Sequence, residues 1–319
     1  MSTIASYYKV KPDKLYRAYK KKISDFITWD QKGDAKDYLI YPENISPHLA
    51  IDEVSLSKGE LYTFVTSKAY TTNKRKLVAV INGTEAKNII EVLNKISATK
   101  RNTVTEVSLD MAKNMELAIK TSFVNAQRVT DRFHVVKLVM DALQHIRVKH
   151  RWEAIEKENN EIKNAKSKAE KYEPIVLENG DTLKELLVRT RYLLYKTPSD
   201  WTYNKERRAK LLFKHYPVLE KAYHLSLEFR SIYECKLKSK AIERLNEWSN
   251  EVKQSGINEF NTVAYSINYH WENILNFFDN RSTNAHAESY NAKLKFFRAN
   301  LRGVTDVVFF LFRLEKLFA

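Results

Sequence analysis

The order of strand-like and helix-like segments between residues 49 and 140 constrains the fold of this chain most. Three runs rich in β-branched and aromatic residues come first, with Gly59 and Gly83 at turns beside them. Two more such runs then alternate with segments of helical period. The strand-like runs are 49–51, 61–66, 76–81, 104–109 and 126–130, and the helical segments are 86–96, 111–122 and the stretch after 131. This order predicts an antiparallel meander that continues into a mixed sheet flanked by helices.

The sequence from about 141 to 270 is almost wholly helical in pattern, and only 6 Gly and 6 Pro occur in 319 residues. We therefore predict an α/β fold, a ribonuclease H-like mixed five-stranded sheet with helices, interrupted by a large all-helical insertion. The predicted segments are a basic N-terminal helical segment (1–48), the first part of the core (49–140), the helical insertion (141–270) and the final helices of the core (271–319).

Two aspartates stand at the ends of strands that this fold makes neighbours. Asp52 ends the first strand and Asp110 ends the fourth. Acids on these two strands converge at one edge of a ribonuclease H-like sheet. Glu53 follows Asp52 and points to the opposite face of a strand, so we do not count it as a ligand. The chain has 39 acidic residues, so chance placement is the alternative that the element order argues against.

A polar stripe runs along the helix predicted at 282–298. Its members lie four, three, four and three residues apart, so they share one helical face. They are Asn284, Glu288, Asn291, Lys295 and Arg298. A carboxylate flanked by amides and cations suits a face that meets a metal ion or a phosphate backbone. A solvated helix face is the alternative.

Three carboxylates from distant positions suit a pair of Mg²⁺ or Mn²⁺ ions, because hard cations take oxygen ligands. Two such ions about 3.5–4 Å apart stabilise the attacking and leaving oxygens of a phosphoryl transfer. Asp52 on the central strand is the natural bridge between the ions. Asp110 completes the ligands of one ion and Glu288 those of the other.

Three further residues have a functional and a structural interpretation. Asp131 and His134 open the helix after the fifth strand, where they either orient a metal ligand or contact a phosphate. The structural alternatives are a helix N-cap for Asp131 and a satisfied imidazole for His134. Trp201 in the helical insertion is a candidate for stacking on an unpaired base, and the alternative is a core position. A basic stretch at 14–22 either faces DNA or is a solvated helix face.

The charge balance of 54 Lys and Arg against 39 Asp and Glu gives a net charge of +15. Such a chain attracts polyanions, nucleic acid first. No lipidation signal, signal peptide or bilayer-spanning apolar run accompanies the charge, so no membrane partner is expected. The single cysteine, Cys235, excludes an internal disulfide and a cysteine-rich zinc site. We expect a cytoplasmic protein that associates with the nucleoid when bound to DNA.

Four motifs in order resemble the DDE transposases of bacterial insertion sequences, and more narrowly the ISL3-type branch. They run from about residue 48 to the C-terminus. The matching segments are 50–53 with 58–62, 107–111, 130–137, and 282–303 with its residues Glu288, Asn291, Lys293, Lys295, Arg298 and Arg302.

The resemblance implies a DDE triad at Asp52, Asp110 and Glu288, with two Mg²⁺ or Mn²⁺ ions as cofactor. It also implies a ribonuclease H-like catalytic domain interrupted by a helical insertion, and the Asp131 and His134 pair matches a motif of related transposases. Phosphate contacts are expected from the basic residues of the last motif and base stacking from Trp201. The basic residues are Lys293, Lys295, Arg298 and Arg302.

Full-length relatives carry an N-terminal zinc module and a helix-turn-helix, and this chain has no cysteines for the zinc module. The sequence therefore predicts a short version of the transposase, with a separate DNA-recognition polypeptide as partner and a homo-oligomer on DNA. Transposon ends and target DNA are the expected substrates. The alternatives are a structure-selective nuclease or resolvase of the same fold, and an inactive DNA-binding remnant of a transposase.

Overall fold

The structure, a computed structural model, describes residues 2–57, 59–68, 77–282, 285–301 and 304–319. At 2, 3, 56, 57 and 285–288 it describes the backbone alone. By its internal contacts the chain divides into two compact units, residues 1–131 with 281–319 and residues 132–280. We call them the sheet unit and the helical unit. The four predicted segments, with boundaries at 48, 140 and 270, are a finer division that stays a prediction.

The sheet unit contains both helices and strands, whereas the helical unit has helices alone among its described elements. The strands are β1 (Tyr38–Ile40), β2 (His48–Ser57), β3 (Glu60–Ser67), β4 (Leu77–Asn82), β5 (Glu106–Leu109) and β6 (Gln127–Thr130). The helices are α1 (Ser2–Tyr7), α2 (Pro12–Ala18), α3 (Ala86–Asn94), α4 (Ala98–Arg101), α5 (Lys113–Ser122), α6 (Arg132–Ser167), α7 (Leu183–Arg189), α8 (Tyr203–His215), α9 (Pro217–Ile232), α10 (Lys238–Ser255), α11 (Asn258–Tyr269), α12 (Trp271–Leu275), α13 (Phe277–Asn280), α14 (Ala285–Asn300) and α15 (Val307–Phe318).

The strands form one mixed sheet in the order β1-β4-β3-β2-β5-β6. Neighbours from β1 to β2 are antiparallel, and the β2–β5 and β5–β6 pairs are parallel. The five strands β2 to β6 fall on the five predicted runs, and their arrangement is compatible with a ribonuclease H-like core. The predicted number of strands is wrong, because the described residues contain a sixth. This strand, β1, pairs with the outer edge of β4.

Each face of the sheet buries its own apolar cluster, so that β3 and β4 are buried along most of their length. On one face Leu49 and Ile51 of β2 pack with the apolar sides of α3 and α5. On the other face Phe64 of β3 packs with Tyr290 of α14 and Phe309 of α15. The continuous apolar character of these strands follows from this double burial.

The N-terminal segment packs against α15 instead of standing free. Phe26 and Trp29 are buried beside Phe312. The Glu315 carboxylate on α15 accepts hydrogen bonds from Trp29 Nε1 at 2.6 Å and from the Tyr41 hydroxyl at 2.8 Å. The first 48 residues therefore contribute to the core of the sheet unit.

The helical unit has its own core around Trp248, which is fully buried on α10. Its Nε1 donates to the Leu225 carbonyl oxygen at 2.8 Å, and Phe229 lies against its ring. A buried carboxylate, Asp181, accepts hydrogen bonds from two arginines, one on α7 and one on α8. This unit therefore has an apolar core and a buried polar anchor. No helix in the described part of the chain is both long and apolar enough to cross a membrane.

A pair of carboxylates in the helical unit predicts a pH-dependent stability. Glu228 on α9 shares a hydrogen bond with Glu251 on α10, and burial followed by this contact raises the pKa of Glu228 to about 7. The folded protein thus holds the proton more tightly than the unfolded chain does. The bound proton therefore stabilises the folded protein fully below about pH 4.5, the pKa of Glu228 in the unfolded chain. This stabilisation is lost as the pH rises through about 7, the pKa of Glu228 in the folded protein.

We expect Glu228→Gln to raise the free energy of unfolding at pH 8 by about 1 kcal/mol, a value reduced for the solvent exposure of the pair. At pH 5 the change is close to zero. Urea unfolding of the full chain at both pH values measures it, with Glu234→Gln at an exposed position as the control. An equal effect at pH 5 and pH 8 would contradict a shared proton.

Candidate active site

The predicted aspartates lie on or just after two adjacent parallel strands, but the prediction that Asp52 ends its strand is wrong, because it lies in the middle of β2, which continues to Ser57. Asp52 is on β2, and Asp110 directly follows β5. The register pairs Ala50 with Ser108, and two residues further along each strand come Asp52 and Asp110. Because side chains alternate along a strand, both aspartates lie on the same face of the sheet. The two strands therefore bring the aspartates together, as the element order predicts.

Glu53 adds a third negative charge at this edge. Alternation along β2 gives it the face opposite to Asp52. Burial raises the pKa of the Glu53 carboxyl, and the charges of Asp110 and then Asp52 raise it further. The sequence interpretation set Glu53 aside on its face alone, although its position directly after Asp52 was a signal of its proximity. Its charge therefore belongs to the electrostatics of the site.

Helix α14 lies against β2 through the polar stripe. Asn291 Nδ2 donates to Asp52 Oδ2 at 2.5 Å. Two turns later, Arg298 Nη1 donates to the Ser55 carbonyl oxygen at 2.8 Å. Asn291 and Arg298 of the stripe thus contact β2, Lys295 is exposed, and Tyr290 and Leu294 form the apolar seam beside them. The amide of Asn291 thus fixes one oxygen of Asp52, and the Glu53 backbone N–H fixes the other at 2.8 Å.

Glu288 lies three residues before Asn291 on the same helix, so both belong to one helical face. Its backbone is part of α14, but its side chain lies outside the described residues. Asn284 and Arg302 are outside them altogether. The described contact that bears on Glu288 is therefore the one between Asn291 and Asp52.

A buried lysine lies on the same face of the sheet, toward the amino end of β5. Lys68 Nζ contacts Glu106 Oε1 at 3.3 Å, the Ser108 hydroxyl, and Ser282 Oγ at 2.8 Å. Burial lowers the pKa of the Lys68 ammonium, while the carboxylates of Glu106 and Asp131 act to raise it. This network joins β3 and β5 to the segment that enters α14, and no sequence motif pointed to it.

The sequence comparison agrees with this arrangement of elements. A transposase family model of the ISL3-type DDE class matches residues 49–314. The chain belongs to this family. No curated protein matches the chain. The match begins at β2 and ends within α15, so it includes both aspartates and α14 of the transposase.

Asp131 and His134 lie on either side of the boundary between the two units. Asp131 directly follows β6 and is buried, and its backbone N–H donates to the Leu109 carbonyl oxygen at 2.9 Å. It acts on the pKa of Lys68 and so lies near that ammonium. His134 is half-buried in the first turn of α6, with its ring against Phe133. Their predicted roles in orienting a ligand or contacting a phosphate stay predictions.

The predicted DNA contacts have different surroundings. Lys293 and Lys295 are exposed on α14. Arg298 is half-buried, and its Nη1 donates a hydrogen bond to the Ser55 carbonyl oxygen of β2. Trp201 is half-buried, with its ring stacked on Tyr223 and its Nε1 donating to a backbone carbonyl oxygen at 3.2 Å. None of these contacts tests DNA binding, which stays a prediction for all four residues.

The basic N-terminal stretch is partly used within the fold. Lys20 pairs with Asp306, the N-cap of α15, and lies over the rings of Phe26 and Phe309. Four other basic residues of this stretch are exposed. They are Lys14, Arg17, Lys21 and Lys22.

The donor set fits a hard divalent cation. Asp52 and Asp110 offer carboxylate oxygens at one edge. Burial raises the pKa of the nearby Glu53 carboxyl, and the negative charges of Asp110 and Asp52 raise it further. Among the side chains that the structure describes, no three from His, Cys, Asp and Glu form a metal-binding group. The role of Glu288 as a third ligand stays a prediction.

Proposed function

We propose that the chain is the catalytic subunit of an insertion-sequence transposase, which cleaves DNA strands and joins the freed 3′-hydroxyl to target DNA. The observation that supports this proposal most is the parallel pairing of β2 with β5, which favours convergence of Asp52 and Asp110 at one edge of the sheet. Membership of the family and the contact of Asn291 with Asp52 support Glu288 as the third acid.

Asp52, Asp110 and Glu288 would hold two Mg²⁺ or Mn²⁺ ions. When bound, such ions polarise the scissile phosphate and neutralise the charge on the leaving oxygen. The residues of the chain supply the orientation. Asn291 and the Glu53 backbone N–H each hold one oxygen of Asp52, so this carboxylate is fixed before DNA arrives.

The proposal extends to the architecture around the site. The sheet unit is a ribonuclease H-like core, and the helical unit is an insertion between β6 and α14. Lys293, Lys295 and the free donors of Arg298 hold phosphates near the acids. The net charge of +15 supports a polyanionic substrate. A separate polypeptide recognises the element ends, and the transposase acts as a homo-oligomer on paired ends in the nucleoid.

A joining assay with the full chain tests the function. The substrate is a labelled duplex that carries the inverted repeats flanking the reading frame, with any neighbouring recognition polypeptide added. Reactions contain Mg²⁺, Mn²⁺ or EDTA, and denaturing gels separate cleaved from joined strands. We expect cleavage at the element end and joined products with either metal, and neither with EDTA.

The other outcomes separate the competing functions. Cleavage without any joined product would indicate a nuclease or resolvase. Binding without cleavage, with the recognition polypeptide present, would indicate a DNA-binding remnant. Either result would overturn the proposed strand transfer.

A further inference from the structure

Three arginines of the helical unit lie close together. Arg147 and Arg151 are one turn apart on α6, and Arg191 follows α7. The α6 side of the cluster is tied to the α7 side, because Arg147 Nη1 donates to the Leu187 carbonyl oxygen at 2.7 Å. Burial lowers the pKa of Arg147, and the charges of Arg191 and Arg151 lower it further. We call Arg147, Arg151 and Arg191 the arginine cluster.

The cluster lacks a carboxylate counter-ion within the part of the chain that the structure describes, where none lies within 4 Å of its three guanidiniums. Arg147 Nε donates to the neutral Gln144 side chain at 2.7 Å. The buried Nε of Arg151 has no hydrogen-bond partner in the structure. The like charges of the three arginines repel one another, so the cluster carries an electrostatic free-energy cost that a bound anion would remove.

A cavity of about 310 Å³ adjoins the cluster at Arg151. Its wall includes Lys184 and Arg189 as well as one acid, Glu185. That carboxylate is already held by the Thr182 backbone N–H at 2.8 Å and lies 3.7 Å from Arg189 Nη2. Three of the lining residues are therefore cations. Lys184 and Arg189 pair with the carboxylates of Glu158 and Asp181, which leaves Arg151 as the cation of this wall without a carboxylate partner among the described residues.

Two arginines of the cluster, Arg151 and Arg191, each lie over an exposed aromatic ring. The Arg151 guanidinium lies 5.9 Å from the ring centre of Trp152, which is 62% exposed. The Arg191 guanidinium lies 5.3 Å from the ring centre of Tyr192, which is 72% exposed. An exposed ring beside a guanidinium matches the pairing of base and phosphate in a single-stranded nucleic acid.

We propose that the arginine cluster, with Trp152 and Tyr192, binds single-stranded DNA. Phosphates contact Arg151 and Arg191, and an unpaired base stacks on Trp152 or Tyr192. The choice of DNA rests on the proposed function, in which DNA strands are cleaved and joined. This surface differs from the predicted stacking site at Trp201, whose ring already packs on Tyr223.

Fluorescence anisotropy with a labelled 20-nucleotide oligothymidine tests the proposal on the full chain at several salt concentrations. We expect Arg151→Gln and Arg191→Gln each to weaken binding about 5–10-fold and to reduce the salt slope by about 0.7. Trp152→Ala weakens binding at least about 5-fold with an unchanged salt slope, and it weakens binding of a 20-base-pair duplex far less. Quenching of tryptophan fluorescence by the oligonucleotide is lost in Trp152→Phe.

The matched controls are Arg207→Gln and Tyr203→Ala on α8. Arg207 lies 5.9 Å from the ring centre of the exposed Tyr203, which gives the same pair without a cluster. If the midpoint of thermal unfolding of Arg151→Gln is at or above that of the wild type, the variant is folded and its weaker binding is not caused by unfolding. The proposal is overturned if the cluster variants lose no more affinity than the controls, or if Trp152→Ala weakens duplex and single strand equally.

Failure of this proposal and failure of the proposed function give different results. Binding that survives Asp52→Asn, together with absent joining in the wild type, would leave the single-strand site without the transposase activity. Joining by the wild type, with oligothymidine binding unaffected in the cluster variants, would leave the activity and remove the site.

Discussion

Replacing Asp52 by Asn is expected to reduce the rate of strand joining by about 1,000-fold or more, which corresponds to about 4 kcal/mol. Asn has nearly the same shape, so the change removes one negative charge and little packing. The charge is the part that a divalent cation requires. Asp110→Asn and Glu288→Gln are expected to give losses of similar size, because each removes one carboxylate from the same proposed site.

Stability distinguishes this loss from misfolding. Asp52, Glu53 and Asp110 repel one another, as the raised pKa of Glu53 shows. Asp52→Asn removes part of this repulsion but keeps only one of the two acceptor oxygens, so the midpoint of thermal unfolding is expected to stay close to that of the wild type. Asp13→Asn, at an exposed position on α2, is the matched control. Wild-type joining rates in Asp52→Asn and Asp110→Asn, with cognate ends present, would remove the proposed triad.

Replacing Lys68 by Met is expected to lower the free energy of unfolding of the sheet unit by about 3–5 kcal/mol. The side chains of Lys68 and Glu106 are only 5% and 3% exposed. Loss of the ammonium takes away the cation 3.3 Å from the buried Glu106 carboxylate, along with the donor to Ser108 and Ser282. Urea unfolding measures the change, with exposed Lys87→Met on α3 as the control.

A double substitution separates the electrostatic cause from a packing defect. Lys68→Met with Glu106→Gln removes both charges, and we expect it to recover at least half of the stability lost in Lys68→Met. Lys68→Met within about 1 kcal/mol of the wild type would show that the ion pair contributes little. No recovery in the double variant would attribute the loss to packing.

The strands were predictable where burial on two faces leaves a continuous apolar pattern. The runs that became β3 and β4 are of this kind, whereas β2, β5 and β6 include polar residues, and the order of all five runs carried the prediction of the sheet. Strand β1 was missed, because three residues at 38–40 are too short for a periodic pattern to emerge. Its pairing with β4 depends on the N-terminal segment packing against α15, and no local signal encodes that contact.

The candidate site was predictable to the extent that element order brings strand ends together. Asp52 and Asp110 could be named because the element order makes β2 and β5 neighbours, although Asp52 lies within β2 and not at its end. The charge of Glu53 was set aside, since alternation describes the face of a side chain but not the reach of its electric field. Trp201 and Trp152 cannot be told apart by composition, because the exposure of a ring depends on which helix packs over it.

The amino-acid sequence by itself determined the order of elements, the two aspartates that belong to neighbouring strands, and the polar stripe along α14. These follow from local periodicity and from the restricted pairing of consecutive strands. Only the tertiary structure decided that the stripe meets β2 through Asn291, that Lys68 is buried against Glu106, and that three arginines lack a described carboxylate counter-ion. The contact between Asn291 and Asp52, for example, joins residues 239 positions apart, and it exists only once the sheet and helices have packed.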